Sequence, residues 1–137
     1  MQKVNKTDSI FIAGHSGMVG SAISRKLKDN DYQNLLTPSR NTLDLLDYKS
    51  TENWFKKYNP DVVILAAAKV GGIGANFKFS GDFILENLKI QTNVIENAWK
   101  NNTKRFLFLG SSCIYPKFAP QPIKEEFLLT SPLELTN

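Results

Sequence analysis

The chain has 137 residues, a length that suits one domain and excludes two of ordinary size. Hydrophobic residues make up 42% and charged residues 22%, which is typical of folded globular proteins and excludes the disordered and membrane classes. The net charge of +4 is mild, and the 17 Lys and Arg residues form no basic block, so we expect no nucleic-acid partner.

The chain has one cysteine and one histidine, so the sequence predicts no intrachain disulfide and no metal site. Residues 1–8 are polar and read as an N-terminal extension without the apolar run of a signal peptide. No stretch approaches the roughly 18 apolar residues that a membrane span needs. We therefore expect no membrane association and a cytoplasmic location.

The first strand is predicted at residues 9–13 and runs directly into Gly14. The helix that follows carries Val19, Ile23 and Leu27 four residues apart, which places them on one face. This order, an apolar strand followed by an amphipathic helix, predicts a βα unit.

The next elements continue the alternation of strand and helix. A short strand is predicted at 34–37 and a helix at 48–58, which Pro60 closes. Residues 61–66 are apolar almost throughout, as expected for a strand covered on both faces.

A glycine-rich loop after the third strand precedes a long helix, predicted at about 82–101. We expect its buried stripe to consist of Ile84, Leu88, Ile95 and Trp99. A fourth strand is predicted at 105–109, and the proline-rich residues beyond Tyr115 read as an irregular loop.

Four strands and three helices in this order predict an α/β fold with a parallel sheet, an incomplete Rossmann-type doubly wound domain over residues 9–137. In that arrangement we expect the fourth strand to pair with the first. We also expect its apolar residues 106–109 to form an exposed edge, so that the isolated chain is poorly soluble or self-associates.

The turn after the first strand has glycines three residues apart, in the form G-x-x-G-x-x-G. Gly14 permits a tight turn, Gly17 lets the backbone approach a pyrophosphate, and Gly20 lets the helix pack closely on the sheet. The helix N-terminus then offers N–H groups to the anion. The candidate contact residues are Gly14, His15, Ser16, Gly17, Met18, Val19 and Gly20. The alternative is a glycine turn that binds nothing.

The end of the second strand indicates which dinucleotide is bound. An NAD site usually carries an acid there, whereas this chain has Thr37, Pro38, Ser39 and Arg40. Arg40 can form charge-assisted hydrogen bonds with a 2′-phosphate, so we predict NADP(H) as the cofactor. The alternative is an ordinary surface arginine.

Three runs carry a narrower resemblance: residues 66–73 (AAAKVGGI), residues 109–117 (LGSSCIYPK) and the opening residues 12–15 (IAGH). Residues 121–122, 125–129 and 133–137 continue it. In these runs the chain resembles GDP-L-fucose synthases, which are extended short-chain dehydrogenases/reductases. The resemblance implies the substrate GDP-4-keto-6-deoxy-mannose, epimerisation at C3 and C5, reduction by NADPH at C4, and a homodimer.

The resemblance also implies two catalytic residues. Ser111 would hydrogen-bond the C4 carbonyl and the developing alkoxide, although it could instead cap the end of the fourth strand. Cys113 would act as an acid/base in the epimerisation, for which a thiol pKa starting at about 8.5 is within reach. Without the resemblance, Cys113 would read as a small buried hydrophobe.

Further cofactor contacts are implied in the same way. Asp44 and Leu45 resemble an adenine-contacting pair, although Asp44 could equally be a turn or N-cap residue. Three small residues that end the third strand would touch the cofactor, or simply pack tightly, and Asn87 would lie near the nicotinamide. The three small residues are Ala66, Ala67 and Ala68.

The chain departs from the family at two points. Ser16 stands where members carry arginine, and the chain contains no Tyr-x-x-x-Lys pair, the proton donor and its lysine. We therefore expect the N-terminal part of such an enzyme, inactive alone. The alternatives are a non-catalytic NADP-binding module and another nucleotide-sugar epimerase or dehydratase.

Overall fold

In the computed structural model, which describes residues 3–135, four parallel strands form one sheet. The strands are β1 (Ile10–Ala13), β2 (Leu35–Leu36), β3 (Val62–Leu65) and β4 (Arg105–Phe108). Residues 1, 2, 136 and 137 lie outside the described range, and with them part of the N-terminal extension and the end of the 133–137 run. The predicted α/β Rossmann-type fold is confirmed.

Four helices connect the strands: α1 (Met18–Asp29), α2 (Tyr48–Tyr58), α3 (Ile73–Lys78) and α4 (Ser80–Lys100). Two short 3₁₀ turns follow β4, at Ser112–Ile114 and Glu125–Phe127. The prediction of three helices was one too few. Helix α3 occupies the glycine-rich loop, where the low helix propensity of glycine concealed it.

The strand order β2-β1-β3-β4 corrects the predicted pairing of the fourth strand with the first. Strand β3 lies between β1 and β4, in register with Ile12 opposite Ile64 and Ile64 opposite Leu107. Because Val62–Leu65 is buried at every position, β3 needs neighbours on both sides and takes the central place. Strand β4, which is half exposed, is left at the edge.

Helices cover both faces of the sheet. On one face, Phe11, Val63 and Leu65 pack against Trp54 and Phe55 of α2 and against α4. The Phe11 and Trp54 rings lie 4.4 Å apart between centroids. On the other face, Ile23 and Leu27 of α1 pack on the alternate residues of β1 and β3, as the sequence predicted. Val19, predicted on the same face, is instead 51% exposed and lines the cleft described below.

The predicted buried stripe of α4 was wrong. Ile84 is 63% exposed and Trp99 is 76% exposed. The buried face carries Asn93, Val94, Asn97 and Ala98. Two asparagines make this face look polar in the sequence. In the structure the amide of Asn93 donates to the Leu45 carbonyl, and the amide of Asn97 donates to the Asn93 carbonyl.

At the amino ends of the strands, charged and polar side chains form a closed network. Lys104 Nζ lies 2.8 Å from Asp61 and 3.2 Å from the buried Asp8. The second oxygen of Asp61 accepts from the backbone N–H and the hydroxyl of Ser9, both at 2.9 Å. The bond from Lys104 is the main reason that the pKa of Asp61 falls to about 2. Part of the polar N-terminal extension is therefore integrated with the sheet.

Candidate functional site

The carboxyl ends of β1, β2 and β3 open onto one cleft of about 840 Å³. This is the edge where open α/β sheets bind ligands, and the volume suits a ligand of dinucleotide size. Its lining residues are Phe11, Ala13, Gly14, His15, Ser16, Gly17, Met18, Val19, Gly20, Pro38, Arg40, Leu43, Asp44, Leu45, Leu46, Ala66, Ala67, Ala68, Lys69, Val70, Glu86 and Ile90.

The glycine turn forms the floor of the cleft, and two of its positions require glycine. Gly14 has φ +83°, and a Cβ there would lie 2.7 Å from the carbonyl oxygen of Ala66. A Cβ on Gly20 would lie 2.1 Å from the carbonyl oxygen of Gly14, so helix α1 could not start where it does. These positions bring β1, β3 and α1 into close contact.

The N-terminus of α1 faces the cleft. Gly17 caps the helix, and a Cβ there would meet only the Gly14 carbonyl oxygen, at 3.4 Å. The space around Gly17 is therefore open toward the cleft. No acidic residue lies in the first turn, and the amides of Met18 and Val19 belong to the turn that an α-helix leaves without intrahelical acceptors. The geometry suits an anion such as a pyrophosphate.

One wall of the cleft is the segment after β2. Arg40 lies in a turn closed by hydrogen bonds from the amides of Thr42 and Leu43 to the Ser39 carbonyl, at 3.0 and 2.9 Å. Within residues 3–135 the exposed Arg40 guanidinium makes no hydrogen bond or ion pair, so it can receive a ligand anion. Asp44 Oδ1 accepts from the amide of Leu46 at 3.0 Å, which matches the turn role that the sequence left open for Asp44.

The other wall follows β3. Ala66 continues the ladder, because its amide donates to the Ala13 carbonyl at 3.0 Å. Lys69 pairs with Glu86 of α4, and its ammonium lies 5.4 Å from the centre of the Phe83 ring. The small side chains after β3 leave this wall close to the glycine turn, while Lys69 and Glu86 supply its charges.

Asn87, predicted to contact the cofactor, does not line the cleft. Its Oδ1 accepts from the Lys69 amide at 2.8 Å, and its Nδ2 donates to the carbonyls of Lys69 and Phe83, each at 2.9 Å. Both amide hydrogens of Asn87 are thus committed within the protein. The mid-helix asparagine finds its partners in a loop of the cleft wall and in its own helix, an alternative that a sequence cannot distinguish from a ligand contact.

Ser111 and Cys113 lie beyond the end of β4, at the same edge of the sheet as the cleft, but neither lines it. Both residues are exposed. Ser111 Oγ accepts from the Cys113 amide at 3.2 Å and caps the 3₁₀ turn that contains Cys113. Ser111 thus bonds to a backbone group, but in the 3₁₀ turn beyond the strand and not at the end of β4, as the sequence alternative had it. Within residues 3–135 its hydroxyl hydrogen has no bonded acceptor, so it can donate to a ligand.

Several lining residues were not among the sequence predictions. Lys69 and Glu86 are charged, whereas Leu43, Leu46 and Ile90 are apolar. Lys69 follows a buried parallel strand, so the rule that ligands bind at strand carboxyl ends could have indicated it. Glu86 and Ile90 reach the cleft from α4, which only the helix packing reveals.

Residues 3–135 contain neither a candidate membrane span nor a candidate metal site. Among these residues, no helix is long and apolar enough to cross a membrane. In the same range, no three His, Cys, Asp or Glu side chains converge in a way that could hold a metal ion.

Comparison with known proteins gives one consistent result. The profile of the "NAD dependent epimerase/dehydratase family" matches residues 10–137. A putative GDP-L-fucose synthase 2 from Arabidopsis thaliana is 57% identical over 134 residues, which cover 98% of this chain and 41% of that protein. The GDP-L-fucose synthase of Escherichia coli is 50% identical over 128 residues, or 93% of this chain and 40% of that protein.

Among solved structures, the GDP-mannoheptose C4 reductase MlghC from Campylobacter jejuni, with NADP bound, superposes with a TM-score of 0.91 at 39% identity. That alignment covers 98% of this chain and 42% of the reductase. The chain therefore spans about two fifths of the length of the relatives it matches.

Proposed function

The chain belongs to the NAD dependent epimerase/dehydratase family, and from that premise we propose that it is the cofactor-binding part of a GDP-L-fucose synthase. The enzyme would epimerise GDP-4-keto-6-deoxy-mannose at C3 and C5 and reduce it at C4. The observation that carries the proposal is the cleft at the strand carboxyl ends, which gathers the glycine turn, Arg40 and the small residues after β3. Identities of 50–57% to GDP-L-fucose synthases support the choice of reaction.

The proposed cofactor is NADP(H), which would supply the hydride that reduces C4. The fit rests on chemistry along the cleft. The first amides of α1 and the open space at Gly17 would receive the pyrophosphate. Arg40 would hold the 2′-phosphate, and Asp44 and Leu45 would border the adenine.

The nicotinamide would then extend toward Ala66, Ala67 and Ala68. These residues follow β3 and Arg40 follows β2, and β1 with its glycine turn lies between the two strands. Ser111 and Cys113 follow β4, the strand next to β3. Residues beyond adjacent parallel strands share one edge of the sheet, so these two side chains would lie on the nicotinamide side of the cleft.

Ser111 would donate its hydroxyl hydrogen to the C4 oxygen while its Oγ continues to accept from the Cys113 amide. The exposed Cys113 thiol would exchange a proton at a carbon next to the C4 ketone. A ketone at C4 acidifies the hydrogens on both C3 and C5, so one carbonyl makes both epimerisations accessible.

A simple C4 reductase without epimerisation is the second candidate. The likeness to the GDP-mannoheptose C4 reductase favours it, whereas the placement of a thiol next to Ser111 favours an epimerase. We further propose that the complete protein is a homodimer, as the family resemblance implies, and that it acts in the cytoplasm.

The experiment incubates the full-length protein with GDP-4-keto-6-deoxy-mannose in D₂O and follows two signals. NADPH oxidation reports reduction at C4, and deuterium at C3 and C5 of the product reports epimerisation. We expect both signals from the natural protein, and Cys113→Ser should retain less than about a tenth of the deuterium exchange. NADPH oxidation without deuterium at either carbon would identify a C4 reductase. The absence of both signals would overturn the proposal.

A further inference from the structure

Helix α4 contacts both walls of the cleft through asparagine side chains. Asn87 bonds to both backbone groups of Lys69, in the loop after β3. Asn93, which is 8% exposed, donates from Nδ2 to the carbonyl of Leu45 at 2.8 Å, in the segment after β2. Lys69 and Leu45 both line the cleft.

These two walls have no direct connection through the sheet. Strand β1 separates β2 from β3, and β2 itself pairs over only two residues. Parallel strands hold each other through ladder bonds, but the segments that follow them leave the ladder. A side chain from a helix packed behind the cleft can therefore fix the position of each segment.

We propose that Asn87 and Asn93 are positioning residues that set the separation of the two cleft walls from one rigid helix. The proposal rests on NADP(H) binding as inferred above, but it assigns these asparagines to the protein backbone and not to the ligand. Asn93 would act on the adenine end through Leu45, and Asn87 on the nicotinamide end through Lys69.

Two further observations support a role at Lys69. A Cβ on Gly71 would lie 2.8 Å from the Phe83 ring, so the loop packs directly on α4. Asn76 Nδ2 also donates to the carbonyls of Gly71 and Gly72, at 2.9 and 3.2 Å. The loop after β3 is thus hydrogen-bonded at Lys69, Gly71 and Gly72. Asn87 makes the bonds to Lys69, which lines the cleft.

The asparagine that caps the C-terminus of α4 provides the contrast. Asn101 is partly buried, and its Nδ2 donates at 2.8 Å to the carbonyl of Asn97, within α4 and its C-terminal cap. Asn101→Leu is therefore a matched control, because it removes the same kind of carboxamide from the end of α4 without releasing a cleft wall.

The test compares Asn87→Leu, Asn93→Leu and Asn101→Leu in the full-length protein. Leucine keeps the approximate shape of asparagine but removes the donors and the acceptor. Amide hydrogen exchange of the ligand-free protein is measured at residues 66–72 and 43–47. Dissociation constants are measured for NADPH and for adenosine 2′,5′-bisphosphate, which represents the adenine half alone.

We expect Asn93→Leu to accelerate exchange at 43–47 and to weaken both ligands about tenfold, the loss that one buried hydrogen bond typically causes. Asn87→Leu should accelerate exchange at 66–72 and weaken NADPH by a similar factor, while the bisphosphate changes less than about twofold. Asn101→Leu should change neither. A general loss of stability would weaken both ligands equally and would not produce this split.

The proposal is overturned if both Leu variants at 87 and 93 behave like Asn101→Leu, or if Asn87→Leu weakens NADPH and the bisphosphate equally. If a Leu variant does not fold, Asn87→Asp and Asn93→Asp replace it, because aspartate keeps the size of the side chain and removes the Nδ2 donor. If the natural protein binds neither ligand, the proposed cofactor fails and this inference fails with it. If it binds both ligands and the variants are unchanged, only this inference fails.

Discussion

The two ends of the sheet use opposite chemistry. At the amino ends of the strands, Asp8, Ser9, Asp61 and Lys104 satisfy one another in a closed network. At the carboxyl ends, the glycine turn, the first amides of α1 and Arg40 surround an open cleft. At the amino ends the polar groups bond to one another and hold three strands together, whereas at the carboxyl ends donors remain for a ligand. This difference separates residues that should control stability from residues that should control binding.

The largest expected effect is at the joint between α1 and β1. Gly20→Ala would place a Cβ 2.1 Å from the Gly14 carbonyl oxygen, so the helix must shift. We expect the free energy of unfolding to fall by about 3 kcal/mol and NADPH binding to be lost. Gly81→Ala is the control in α4, where a Cβ meets nothing within 4 Å, and should stabilise the protein by up to about 1 kcal/mol. Denaturant unfolding of the two variants checks this, and equal stabilities would contradict the account.

The next largest effect is expected at the carboxyl ends of the strands, where Arg40 should control which cofactor binds. Arg40→Ala should lower the ratio of NADPH to NADH affinity by about 10- to 100-fold, because the bonds to the 2′-phosphate are charge-assisted. Its thermal stability should not change. Arg25→Ala, on the exposed surface of α1, should leave the ratio unaltered. An unchanged ratio in Arg40→Ala would remove the assignment of the 2′-phosphate site.

A smaller effect is expected at the amino ends. Asp61→Asn should lower the free energy of unfolding by about 1 kcal/mol at pH 7, since the partly exposed pair with Lys104 is screened by solvent. NADPH affinity should stay within about twofold of the natural value. A large loss of affinity without a loss of stability would contradict the division between the two ends.

The same carboxylate gives a pH signature. The pKa of Asp61 is lowered to about 2 in the fold, mainly by the bond from Lys104, from an ordinary value of 3.8. A lowered pKa stabilises the fold above the unfolded value, and this contribution is lost as the pH falls from about 4 toward 2. The stability difference between the natural protein and Asp61→Asn should therefore shrink over that window. A stability difference as large at pH 2 as at pH 7 would be incompatible with the Lys104–Asp61 bond.

Much of the cleft could be predicted from local sequence, because its main parts follow strand ends directly. Gly14, Gly17 and Gly20 have fixed spacing after a buried strand, and Arg40 follows the second strand, so their convergence follows from the parallel sheet alone. The run from Ala66 to Ala68 was indicated by the family resemblance and by its small side chains at the end of the third strand. All of them line the cleft.

The sequence predictions that were wrong concern features that depend on packing between distant elements. Trp99 and Ile84 have the helical spacing of a core stripe, yet the sheet contacts the opposite face of α4, where Asn93 and Asn97 bond to backbone carbonyls. The backbone partners of Asn87 were likewise not predicted, because a sequence cannot tell which backbone group will satisfy a buried amide; its contact with the cofactor stays a prediction. The order of β3 and β4 likewise depends on which strand must be covered on both faces.

The most direct test of the central claim is a crystal structure of the full-length protein with NADPH. The account predicts that the pyrophosphate accepts from the amides at the start of α1, that the 2′-phosphate contacts Arg40, and that the nicotinamide lies beside Ala66–Ala68. The network of Asp8, Asp61 and Lys104 should be unchanged. A dinucleotide bound elsewhere, or in the reverse orientation along the cleft, would contradict it.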